Sequence, residues 1–142
     1  MITLSLAHTG ARADAALQAT LTRLNAGATG AILALYSSVR PATGATPGGA
    51  VVVSFTLPKP AGTITLSSIA SNVLTLGTLT LGAVADALIA ESGIVLWGRI
   101  TVAGIHEMDV SVSDTAGVGT IRLSTTQLFA GGTVRLASGT FS

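Results

Sequence analysis

Beyond residue 31 this chain is written in short runs that alternate Thr or Ser with Leu, Ile or Val, and each run is cut by Gly, Pro or Asn. A period of two puts alternate side chains on opposite faces of an extended strand, a pattern no helix satisfies. The change of regime falls in the stretch that starts Asn25-Ala-Gly27, passes Gly30 and ends at Arg40-Pro41. Asn25 and Gly27 are residue types that tolerate a left-handed helix end, and Gly30 frees a second turn. Residues 32 to 36 then read as a strand, closed at Arg40-Pro41 because the residue before proline is held extended.

Upstream, Ile2, Leu4 and Leu6 alternate with Thr3, Ser5 and Ala7, which predicts a short strand or extended N-terminal arm. His8-Thr9-Gly10 breaks that pattern, with Thr9 placed to cap a helix over residues 11 to 24. Ala13, Leu17, Leu21 and Leu24 form its apolar stripe, with Thr20 on the same face. Asp14 near the start and Arg23 near the end suit the helix dipole. Such a stripe could dock on a neighbouring subunit or cover the chain's own sheet; a lone helix beside strands usually does the second.

Downstream, residues 42 to 49 form a Gly- and Pro-rich loop, and 50 to 57 a strand that Pro58-Lys59-Pro60 ends. Residues 63 to 67 and 73 to 81 read as half-buried strands with tight turns, and 83 to 90 as a connection of uncertain form. Residues 93 to 102 and 105 to 113 follow, joined at Ala103-Gly104. On the first, Trp97 and Arg99 share one face and Ile94, Leu96, Ile100 and Val102 the other, both largely covered. After a loop at 114 to 119 come strands at 120 to 124 and 133 to 137. About eight strands and one early helix predict a mainly β chain, an antiparallel sandwich or barrel. The whole reads as one domain, with arm and helix over residues 1 to 27 packed on a sandwich over 28 to 142.

Charged residues make up only 9% of the chain, with a net charge of +1 and seven basic residues scattered rather than clustered. Ordinary soluble domains carry roughly 25%, so much of this surface is weakly polar or covered by other subunits. Without a basic patch, no nucleic-acid partner is expected. No cysteine is present, which excludes disulfides and thiolate metal sites. The N-terminus shows no basic region ahead of an apolar stretch, so no secretory signal is expected. No membrane partner is expected either: apolar runs are too broken for a spanning helix, and one Trp with one Tyr cannot build the aromatic girdles of a membrane barrel.

His106-Glu-Met-Asp109 is the one local group with catalytic residue types. On a regular strand His106 points away from Glu107 and Asp109, so the three cannot converge. Glu107 and Asp109 share a face that could meet a cation, but further oxygen ligands are not evident. No serine sits in a Gly-x-Ser-x-Gly elbow, and the glycine-rich loops lack a phosphate-loop lysine. The chain is therefore read as a non-enzyme with no cofactor. Arg40 and Arg99 suit anchoring to a carboxylate or carbonyl, and Tyr36 and Trp97 suit either the core or an interface.

Arg12 and Leu17 on the helix, the Asn25-Ala-Gly27 exit, Gly30, Leu33-x-Leu-Tyr36 and Arg40-Pro41 resemble the opening of small virion proteins encoded beside the major head protein of tailed bacteriophages. Ser92-Gly93, Trp97-x-Arg99-Ile100, Asp109 and Gly131-Gly132 resemble the same family's second half, while Gly104-Ile-His-Glu-Met108 departs from its simpler Asp-Gly type turn. The resemblance implies a jelly-roll-like β-sandwich that decorates or cements the capsid. It implies the major capsid protein as partner, a homo-oligomer (dimer or trimer) on the shell, and location on the virion surface after assembly in the host cytoplasm. The expected contact residues are Ile2, Leu4 and Leu6 on the arm, Tyr36 at the end of the strand over 32 to 36, Arg40 and Pro41 in the loop over 40 to 49, and Trp97 and Arg99 on exposed strand surface. A tail or head-to-tail connector protein and a carbohydrate-binding sandwich are the rival readings.

Overall fold

The computed structural model describes residues 2–142, with side chains from Ser5 onward. It opens on one helix, α1 (Ile2–Leu24), so the expected arm over residues 2 to 6 is instead the first turns of that helix. The side chains of Ile2 and Leu4 lie outside the described residues. Thr9 caps nothing: it sits inside α1, and its Oγ1 donates to the Ser5 carbonyl at 3.1 Å, the back-bond a mid-helix threonine makes. Gly10 does not break the helix, because it is a packing position. A Cβ there would lie 3.1 Å from the Ser67 Cβ and 3.3 Å from Leu74 Cδ1.

The strands follow as β1 (Ile32–Tyr36), β2 (Val51–Thr56), β3 (Gly62–Thr65), β4 (Ser68–Ala70), β5 (Val73–Thr75), β6 (Thr78–Leu81) and β7 (Ala87–Leu88). Then come β8 (Gly93–Ile94), β9 (Trp97–Val102), β10 (Ile105–Asp114), β11 (Ile121–Leu123), β12 (Gln127–Leu128), β13 (Thr133–Val134) and β14 (Leu136–Phe141). Eight of them make one curled sheet in the order β2-β1-β9-β10-β11-β14-β6-β3. Every pairing in it is antiparallel except β10 with β11, where the expected all-antiparallel arrangement fails. Three two-stranded ladders, β4-β5, β7-β13 and β8-β12, flank the sheet.

Two predicted strands are shorter than their apolar runs. The run over 73 to 81 splits at Gly77, whose N–H donates to the Ser67 hydroxyl at 2.8 Å. The run over 93 to 102 splits at Val95 and Leu96, whose N–H groups leave the ladder for the Thr126 and Tyr36 carbonyls. Residues 83 to 90 hold no helix, and only β7 within them is in a ladder.

Leu17 and Leu24 of α1 belong to one core cluster with Leu33, Phe55, Leu79, Ile100, Ile121 and Leu123 of the sheet. The helix thus covers its own chain, packing on β3 to β6. Asp14 lies mid-helix, where the dipole exerts little force. Its carboxylate instead accepts from the Ser67 N–H at 3.0 Å and the Ser67 hydroxyl at 2.7 Å. Neither Asn25 nor Gly27 takes a left-handed backbone. Asn25 works through its side chain, accepting the Ala61 N–H at 2.8 Å. Gly30 lets two backbones meet, since a Cβ there would fall 1.8 Å from the Leu57 carbonyl oxygen.

Candidate functional site

Strand register decides which side chains meet on each face. Ala34 lies opposite Arg99, Tyr36 opposite Trp97, and Asp109 opposite Arg99. All therefore share the sheet face opposite buried Leu33, Leu35 and Ile100. Trp97 and Arg99 are not on exposed strand surface as expected: Trp97 is 1% exposed and Arg99 8%. The reason is mutual cover. The Trp97 and Tyr36 rings stack at 4.6 Å and 15°, and the Arg99 guanidinium lies 5.3 Å from the Trp97 ring centre, a stacked cation–π arrangement that suits arginine.

Arg99 grips Asp109 with two parallel bonds, Nε to Oδ1 at 2.7 Å and Nη2 to Oδ2 at 3.2 Å. The Asp109 side chain is fully buried. Its carboxyl is held below the usual range chiefly by the Arg99 hydrogen bonds, against the opposing effect of burial. The Arg99 charge, His106 and the backbone at Gly44 add to the lowering. The loop after β1 reaches the same residue from above, with Arg40 Nη2 donating to the Asp109 carbonyl at 3.3 Å. Asp109 is thus the post to which β9, β10 and this loop are tied.

The reading of residues 106 to 109 as a regular strand fails at a β-bulge. Register slips between His106 and Met108, and the extra residue turns His106 onto the Asp109 side, Nε2 to Oδ1 3.1 Å. Glu107 goes the other way and pairs with exposed Arg23 of α1, Nη2 to Oε2 3.2 Å. Glu107 and Asp109 therefore do not share a face for a cation. Among the described residues, no group of three or more His, Cys, Asp or Glu side chains is arranged to hold a metal. With Arg99 and His106 on its oxygens, Asp109 anchors this part of the sheet.

Of the other expected contact residues, Pro41 is half-buried beside exposed Arg40. Leu6 lies elsewhere, in a groove of about 300 Å³ between α1 and the β4-β5 ladder, with Gly10, Ile69 and Leu74. Two apolar groups escaped the sequence reading. Leu88, Ile94, Leu96 and Phe129 are each more than half exposed, and the bonds from Ala130 to Ser92 and Gly131 to Ile89 draw their segments together. Leu66, Val73 and Leu76, near α1, are 68%, 63% and 47% exposed. Alternation had placed Leu96 and Ile94 on a covered face; the break at Val95 and Leu96 exposes them.

No protein-family model matches the chain, and no curated protein or solved structure does. No described helix is long and apolar enough to cross a membrane.

Proposed function

We propose that this chain is a structural virion protein that binds the outer surface of a tailed-phage capsid and cements contacts between major capsid protein subunits. The observation that carries the reading is the pair of exposed apolar groups, Leu88, Ile94, Leu96 and Phe129 in one and Leu66, Val73 and Leu76 in the other, on a chain with 9% charged residues. Grouped large apolar side chains mark association sites, and exposed aromatics such as Phe129 are favoured anchors. Two such groups let one subunit touch more than one neighbour. Contacts on several shell subunits reinforce one another through effective concentration, and binding only the assembled shell disfavours its disassembly.

The finer fold belongs to the same proposal. The halves β2-β1-β9-β10 and β11-β14-β6-β3 of the curled sheet are the two layers of a jelly-roll-like sandwich, working on the shell as a dimer or trimer. The loop tied to Asp109 and the first turns of α1 are its further contact parts.

The test is addition of the full chain to purified shells that lack it. Cosedimentation is expected, together with a higher temperature of shell disassembly. The double variant Leu88→Asp, Phe129→Asp should keep its own melting temperature and lose the shell. Shells that ignore the wild-type chain would refute the proposal.

A further inference from the structure

The strands β3 to β6 make one long hairpin. Thr65 faces Thr78 in its first ladder and Ser68 faces Thr75 in its second, so Leu66-Ser67 on one side and Leu76-Gly77 on the other separate two ladders of the same register. The break is made by the helix. Ser67 gives its N–H and its hydroxyl to Asp14 of α1, and Gly77 gives its N–H to the Ser67 hydroxyl instead of to a strand. Ser71 and Asn72 close the far end with φ of 50° and 60°, the mirror-image turn of a tight hairpin. Beyond the break the hairpin leaves the eight-stranded sheet, and β4-β5 is a ladder of its own.

One face of that ladder is covered, because Ile69 and Leu74 line the groove with Leu6 and Gly10 of α1. The alternate residues Ser68, Ala70, Val73 and Thr75 are exposed, and so are Leu66 and Leu76 at the break. A two-stranded ribbon is marginal in water without further cover, and natural strand edges are commonly guarded by charge or proline. This ribbon has neither guard: no residue from Ala61 to Ala85 is charged or a proline.

Two observations select a second copy of this chain as the cover. The first is charge. A two-fold contact sets one surface patch against itself, so any charge there meets its own like across the contact, whereas contacts with a different partner are steered by opposite charges. An uncharged face suits self-contact. The second is area. A compact monomer of 14.0 kDa exposes about 6,700 Å², and this chain exposes 7726 Å². The surplus of about 1,000 Å² is comparable to the roughly 800 Å² that each partner gives to a standard interface.

We propose that the outer face of β4-β5, with Leu66, Val73 and Leu76 as its apolar contacts, is the interface of a two-fold dimer of this chain. The dimer rests on the capsid reading for its role: one of the two apolar groups meets a second copy, and Leu88, Ile94, Leu96 and Phe129 are left for the shell. The contact itself forms without a shell.

The experiment is analytical ultracentrifugation of the full chain in the absence of shells. A species of twice the 14.0 kDa chain mass is expected at about 100 µM, well above the dissociation constant of a micromolar contact. Val73→Asp, Leu76→Asp, both at exposed positions, should sediment as a folded monomer, and Leu88→Asp, Phe129→Asp should remain dimeric. A second measurement needs neither variant. The chain has no cysteine, so an unlabelled Thr75→Cys chain can carry a single nitroxide; mixed with isotope-labelled wild type, it should broaden the amide resonances of residues 66 to 76 in the other copy and spare those of 127 to 134. A wild-type monomer at that concentration, a trimer, or broadening centred on 127 to 134 would overturn the proposal. A dimer that ignores shells would refute the capsid reading and leave the contact standing; a monomer that binds shells would do the reverse.

Discussion

Arg99 and Asp109 face one another across β9 and β10 with bonds of 2.7 and 3.2 Å, their side chains 9% and 0% exposed. Because both charges are out of water, the pair is a point of vulnerability more than a net gain. Removing one partner strands the other, which typically costs about 3 kcal/mol or more. Asp109→Ala should therefore lower unfolding stability by about that amount in urea. It should also loosen the loop at Arg40 and Gly44, read as faster amide exchange there.

The same pair sets an acid limit. The Asp109 carboxyl is depressed in the folded chain, first by Arg99, so its contribution is complete above the unfolded carboxylate value of about 3.9 and is lost as pH falls through the folded value. Stability measured from pH 5 downward should fall more steeply in the wild type than in Asp109→Asn, which begins less stable but has no proton to gain. Parallel slopes would contradict this.

Ala103 and Gly104 form the two-residue turn between β9 and β10, and both have positive φ, 51° and 80°. That is the mirror-image turn that suits the twist of a hairpin, but alanine is a poor residue for it. Ala103→Gly should stabilise the chain by up to about 1 kcal/mol, since a left-handed alanine costs about that much or more. Matched urea curves would measure it.

Gly10 and Gly30 should respond differently to alanine. At Gly10 the helix gains about 1 kcal/mol of propensity against contacts of 3.1 and 3.3 Å that a small shift relieves, so Gly10→Ala should be close to neutral. At Gly30 the new Cβ would fall 1.8 Å from the Leu57 oxygen, and backbone must move. Gly30→Ala should cost about 3 kcal/mol, the upper range for overpacking.

The sequence reading was most informative where a residue's own periodicity decided the outcome. Leu17 and Leu24 lie on the buried side of α1, and Ile100 and Val102 on the core side of β9, as their spacings required. It failed where a distant partner decided. Nothing local in Thr9-Gly10 announces that Ser67 and Leu74 will meet that glycine, so the helix start was placed nine residues late. Nor does the run from His106 to Asp109 announce a bulge, and one extra residue exchanged the faces of His106 and Glu107. Trp97 and Arg99 were legible as a pair on one face, but their burial depends on Tyr36 and Asp109 arriving from other strands.

The central claim is tested most directly by counting. Quantitative mass spectrometry of purified particles gives the copy number of this chain relative to the major capsid protein. Decoration of the shell predicts a one-to-one ratio or a simple lattice fraction of it. A handful of copies per particle would place the chain at the neck or tail, and none at all would contradict the virion assignment itself.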